Sequence, residues 1–282
     1  YLIYYFFYLF NIKMEGHKPI KILKVKEYEE LQKLPREMPS YLPQMKGEVI
    51  LVVAPISQGK SNFITNWFLQ PLLAKDMFDT IYFFSNTARQ DDTSRFLIDE
   101  ENVMVYDDLS TGKVDNLITE IVEKQKEYEK KDMPRIAIIF DDLVGSLSNN
   151  SKAFSLSSRA RHMNIANLFY VVQKFKSVPT VVRYNLTHLF TFAGIYNQKE
   201  LISLEEEFSS VGGNEGFMSL YKREVQEKKY NFLYGNLQTG RTYFNFDRLL
   251  NSNFDNAITD NSLPIKEERG KCGKTLEEGC DC

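Results

Sequence analysis

Two pairs of residues in this 282-residue chain have the types and spacing for phosphate chemistry: Lys60 with Ser61, and Asp141 with Asp142. An ammonium beside a hydroxyl can hold a phosphate chain and its divalent cation, while adjacent carboxylates can complete the cation's shell and orient a water. Lys60 and Ser61 close the run VILVVAPISQGKSN, Val49 to Asn62. In such a Gly-Lys-Ser turn, loop N–H groups and a helix N-terminus face the phosphates. Lys60 reaches the β- and γ-phosphates, Ser61 offers its hydroxyl to Mg²⁺, and Gly59 lets the backbone come close. The candidate nucleotide-binding residues are Ala54, Pro55, Ile56, Ser57, Gln58, Gly59, Lys60, Ser61 and Asn62, and the expected ligands are ATP and Mg²⁺. Ala54 stands where the pattern G-x-x-x-x-G-K-[ST] has its first glycine, which predicts a stiffer start to the loop. The bland alternative is a glycine-initiated helix with a solvated lysine.

The second pair ends RIAIIFDD, an apolar run finishing in acids, which matches a Walker B strand. It puts Asp141 on the metal with Ser61, and Asp142 in place to orient or deprotonate the attacking water. Gln173 ends the apolar run IANLFYVVQ; on a strand beside Walker B its amide would face the γ-phosphate as a sensor. Three guanidinium groups, Arg159, Arg161 and Arg183, are candidates for an arginine finger offered to a neighbouring subunit, each with a surface ion pair as the plainer reading. His162 has no partner at metal-ligand spacing and reads as structural. Lys174-Phe175-Lys176 reads as an exposed turn whose cations and ring could touch a DNA backbone.

These residues need a scaffold that brings strand ends together. Val49 to Val53 reads as a buried parallel strand, and Phe63, Ile64, Trp67 and Phe68 mark one apolar stripe of a helix that Pro71 ends. Further strands are expected at Asp79–Ser85, Val103–Tyr106, Arg135–Phe140, Ile165–Gln173 and Thr187–Ala193. Helices are expected near Arg89–Glu101, at Lys113–Lys131 with Tyr128 in its stripe, at Gln198–Phe208 and at Glu215–Gln226. Gly145 to Ser158 reads as a mobile loop passing into a helix over Ala153–His162. Asn231–Tyr234 and Thr242–Phe246 flank a glycine-containing turn and predict an antiparallel hairpin at the sheet edge. Strand and helix in alternation define the fold class: α/β, a P-loop NTPase with a mainly parallel sheet sandwiched by helices and a C-terminal antiparallel edge hairpin.

Composition fits that class, with 43% hydrophobic and 26% charged residues. A formal net charge of −3 argues against a broadly basic nucleic-acid coat, so DNA contact would use a local patch. The ends differ from the middle. YLIYYFFYLF is apolar but shorter than the roughly 20 residues of a membrane helix. Met14 opens a more ordinary sequence, so residues 1–13 read as upstream translation or a truncated frame, with a cut signal or anchor fragment as the alternative. The domain reading is a lead-in at 1–46, an ATPase core at 47–250 and a polar, disordered tail at 251–282. Cys272, Cys280 and Cys282 all fall in that tail, at a spacing that fits no paired zinc knuckle; a core without cysteine suits a reducing compartment.

Taken together, APISQGKSN, IAIIFDDL, SSRARHMNI, LFYVVQ with FKSVPTVVRYN, and THLFTF resemble the genome-packaging ATPases of large DNA viruses and virophages, in the FtsK–HerA superfamily. The resemblance spans roughly Gly47 to Phe246. It implies a homo-oligomeric, hexameric ring that drives double-stranded DNA into a capsid by ATP hydrolysis. Capsid proteins would be its partners, without a membrane, in host cytoplasm, viral factory or virion. It assigns Lys60 and Ser61 to nucleotide and Mg²⁺, Asp141 and Asp142 to metal and water, Gln173 to the sensor position, and Arg161, ahead of Arg159 and Arg183, to the finger. Asp142 departs from the commoner Glu. That departure leaves room for a different class, a non-hydrolysing ATP-binding module that locks assembly onto capsid or DNA; a nucleotide kinase would need a lid or acceptor motif that is not recognisable.

Overall fold

The computed structural model describes Ile20 and residues 38–251. Expectations for residues 1–13 and for the cysteine-bearing tail fall outside the described residues.

Alternation along one strand explains the layering. Strand β1 (Glu48–Val53) is buried along its whole length. Val49, Leu51 and Val53 join one apolar cluster, Ile50, Val52 and Ala54 the other, so β1 is packed on both faces. Helix α1 (Lys60–Leu69) and α2 (Asp92–Ile98) cover one face through Phe63, Trp67, Phe68 and Leu97. Helices α3 (Thr111–Lys126), α6 (Gln198–Phe208) and α7 (Phe217–Glu224) cover the other through Val114, Ile118, Leu201, Leu204, Phe217 and Leu220.

The remaining strands are β2 (Thr80–Phe84), β3 (Val103–Tyr106), β4 (Ile136–Asp141), β5 (Ile165–Val172), β6 (His188–Phe192), β7 (Phe232–Asn236), β8 (Arg241–Phe244) and β9 (Arg248–Asn251). They form one sheet in the order β3-β2-β4-β5-β1-β6-β7-β8-β9. Pairing is parallel from β3 to β6 and antiparallel from β6 to β9. The register sets Val53 beside Val172 and Val171 beside Asp141, so β1, β5 and β4 finish level with one another. A parallel sheet gathers its strand C-termini on one edge, and the switch point in strand order there makes a crevice for a ligand.

Four expectations need correction. The antiparallel portion is a three-stranded extension, because Arg248–Asn251 adds β9 outside the expected hairpin. Helix α3 ends at Lys126, which leaves Tyr128 beyond it and exposed. The helix expected over Ala153–His162 is three short pieces: α4 (Lys152–Ser155), then 3₁₀ turns at Leu156–Ser158 and Ala160–Met163. Serine hydroxyls explain the fragmentation, since those of Ser155, Ser157 and Ser158 each donate to the carbonyl three residues back. The loop before it is anchored by buried Leu147 and by the Ser151 hydroxyl, which donates to Asp115 over 2.6 Å. Finally, Phe175 is fully buried against Phe208, so the Lys174-Phe175-Lys176 turn exposes its lysines and not its ring.

Helix α1 is held by rings. Phe63 lies within 4.8–5.6 Å of Phe190, Phe192 and Phe232, centroid to centroid. Trp67 meets Phe169 and Phe190, and its indole N–H donates to Asn167 of β5 at 3.2 Å.

Candidate nucleotide site

The loop between β1 and α1 leaves the sheet at Ala54, whose N–H donates to the Val172 carbonyl at 2.9 Å. Ala54 is fully buried and is not among the residues with positive φ, so its methyl group occupies a backbone conformation open to any L-residue. The left-handed turns fall later, at Ser57 (φ 60°) and Gly59 (φ 97°). Gly59 caps α1 with no side-chain hydrogen bond, and the first turn carries no acid. The N-terminal N–H groups of a ten-residue helix are thus left to an anion, and Phe63 N–H makes the first internal bond, to Gly59, at 2.9 Å.

The acids meet the loop from the neighbouring strands. Lys60 is ion-paired with Asp142. Gln173, one residue past β5, donates from its amide to the same Asp142 oxygen at 3.0 Å. Asp142 is itself in the left-handed region (φ 53°), its N–H bonded to Val171 at 3.0 Å, a turn that swings its carboxylate off the strand axis toward Lys60. The structure therefore brings together Lys60, Asp141, Asp142 and Gln173.

Sequence reasoning missed Ser85. It is fully buried just past β2, and its hydroxyl donates to Asp141 Oδ2 at 3.0 Å. The signal was available in form: DTIYFFS ends a buried strand in a small hydroxyl, as β5 ends before an amide. Burial, together with the charge of Asp142, pushes the Asp141 carboxyl up to about 6; Lys60 and the Ser85 hydrogen bond pull it back part of the way. A buried carboxylate raised by an adjacent carboxylate is a place where a cation is favourable, so the residues fit Mg²⁺. Among the described residues no three His, Cys, Asp or Glu side chains cluster as a metal cage. Mg²⁺ needs none, because it is held through one or two protein oxygens, water and substrate phosphates.

The arginines lie elsewhere. Arg159 and Arg161 precede β5, and Arg161 packs its stem against Gly47 ahead of β1, so both sit at the sheet edge opposite the loop. The eight residues of β5 separate the two edges by about 23 Å. Both are exposed. Arg183, on the short helix α5 (Thr180–Arg183), is tied to Glu207 at 2.8 Å and lies over the Phe175 ring. His162 is exposed.

The level strand ends, the loop between β1 and α1 and the acids that meet it define the fold as that of a P-loop NTPase core. The chain belongs to the family described as Poxvirus A32 protein, which it matches over residues 49–236. It is similar in structure to B204, the DNA-packaging ATPase from Sulfolobus Turreted Icosahedral Virus, with TM-score 0.53 and 16% identity over 72% of this chain and 98% of that one. The genome packaging NTPase B204 from Sulfolobus turreted icosahedral virus 2, in complex with ATP-gammaS, gives TM-score 0.52 and 17% identity over 71% and 97%. EccC (ATPases 2 and 3) from Thermomonospora curvata, in complex with a signal sequence peptide, gives TM-score 0.53 and 10% identity over 83% and 44%. At these identities the structural likeness is one of fold. No curated protein sequence matches the chain. Among the described residues no helix is long and apolar enough to cross a membrane.

Proposed function

We propose that the protein is an ATP-hydrolysing, ring-forming motor that moves double-stranded DNA into a viral capsid. The observation that carries this reading is the meeting of Lys60, Asp142 and Gln173 on one carboxylate oxygen beside Asp141, at level strand ends, in a chain of this family. ATP would lie along the loop, its β- and γ-phosphates on Lys60 and the N-terminus of α1. Mg²⁺ would be held by Ser61 and, through water, by Asp141, neutralising phosphate charge when bound. Asp142 would orient the attacking water and accept its proton, with Gln173 reporting the γ-phosphate to the turn that bears exposed Lys174 and Lys176.

The finger would come from a neighbouring copy. Arg161 is the first choice because it is exposed and remote from its own loop, while Arg159 is next to it and Arg183 is committed to Glu207. Host cytoplasm, a viral factory or the virion is the compartment such a motor would occupy. The test is an ATPase assay with and without duplex DNA, alongside the mass of the particle formed in ATP. Hydrolysis stimulated by DNA in an oligomer supports the motor. ATP binding and assembly without turnover would favour the non-hydrolysing lock.

A further inference from the structure

The sheet order fixes which way a nucleotide can lie. Asp141 and Gln173 belong to β4 and β5, on one flank of β1; β6 and β7 form the other flank. A γ-phosphate drawn to Lys60 and the Gln173 amide leaves the sugar and base to exit over β6 and β7. On that flank, next to the loop, stands Tyr230.

Tyr230 has three properties that its fold position does not require. Its φ is +71°, a conformation that a bulky residue rarely adopts. Its side chain is 55% exposed although it adjoins the fully packed start of β7. Its ring reaches the loop: a Cβ on Gly59 would lie 3.4 Å from Tyr230 Cδ1 and 3.9 Å from Phe192 Cε1. The next residue is firmly placed, since the Asn231 carbonyl accepts from Ala193 N–H at 2.9 Å and its N–H donates to Lys228 at 3.0 Å. Lys229 sets its ammonium 4.7 Å from the Tyr230 ring centroid. An exposed aromatic ring beside Gly59, the N-cap of the phosphate-binding helix, with the Lys229 ammonium over one face, has its other face to offer a flat aromatic ring.

The geometry points to Tyr230 as the platform on which the purine of the nucleotide stacks, an inference that rests on the nucleotide-binding reading above. Stacking would be face to face with the base and blind to hydrogen-bond pattern, so it would favour purine over pyrimidine nucleotides without a strong choice between adenine and guanine.

The test compares ATP with inorganic tripolyphosphate, each with Mg²⁺, on the full chain. Tyr230→Gly accepts the positive φ, so the variant should unfold no earlier than the parent, which a thermal melt verifies. ATP affinity should fall about tenfold in Tyr230→Gly while tripolyphosphate affinity stays the same, and Tyr230→Phe should keep both. Equal loss of both ligands, or ATP affinity unchanged in Tyr230→Gly, would overturn the assignment. Parent protein that binds neither ligand would overturn the nucleotide reading itself, a result distinct from the other two.

Discussion

Lys60, the only cation in the loop, is bound to Asp142, the acid that follows β4. A γ-phosphate at the loop would compete with Asp142 for that one ammonium. Were a phosphate to take it, Asp142 would lose its counter-charge and keep only the Gln173 amide, the state of a base ready for a water. Asp142→Asn should therefore lower ATP turnover by a factor of about 10² to 10⁴ and leave ATP binding intact. Single-turnover hydrolysis beside equilibrium binding measures both; turnover at the parent rate would remove Asp142 from the reaction.

Ser85 touches Asp141, the carboxylate proposed to hold Mg²⁺, and so would act on the metal and not on the phosphate. Ser85→Ala removes the hydroxyl that donates to Asp141 Oδ2 and leaves one fewer group holding that carboxylate in place. The expected outcome is a rise of about tenfold in the Mg²⁺ concentration needed for half-maximal ATPase, with ATP affinity at saturating Mg²⁺ unchanged. A Mg²⁺ titration of the two proteins decides it.

The sheet separates Arg161 from Lys60 by its full strand length, so a finger role is testable by mixing. Arg161→Ala alone and Lys60→Ala alone should each lose activity, the former by about 10³. Mixed oligomers, which contain interfaces with an intact Lys60 facing an intact Arg161, should recover part of it. No recovery on mixing, with oligomers shown to exchange subunits, would move the finger to Arg159 or Arg183.

His188 is buried on β6, stacked on Tyr234, with Nδ1 2.8 Å from the Thr187 hydroxyl. Burial lowers its pKa from 6.5 to about 3. The unfolded chain then binds the proton that the native one refuses, so the stability from a neutral His188 is intact above pH 6.5 and is lost as pH falls from 6.5 toward 3. From pH 7.5 to 5.5 the loss from this group should be about 1 kcal/mol. Denaturant unfolding at the two values, with His188→Gln as the comparison, checks it: the variant should lack this component of the slope.

The meeting of Lys60, Asp142 and Gln173 was legible in the chain because each part is local. The loop, the acids and the glutamine each end an apolar run, and burial on both faces makes such runs stand out. What stayed hidden depends on distant partners. Ser85 gains meaning only when β2 lies beside β4. Phe175 reads as exposed between two lysines until α6 covers it. Strand β9 is four residues, RLLN, too short to show a period and ordered by its pairing with β8. The broken helix before β5 follows from serine hydroxyls that cap carbonyls one turn back, an effect that apolar spacing does not register.

Trp67 is the one tryptophan in 282 residues, and it sits two turns from Ser61 on the helix that begins at the loop. Its indole is fully buried, bonded to Asn167 on β5 and packed against Phe190 on β6, so it touches the strands on both sides of β1. Emission excited at the red edge, where the sixteen tyrosines do not absorb, is therefore a single-site optical signal from behind the loop. Any shift of α1 against either flank changes its wavelength or yield, in a protein that needs no dye attached.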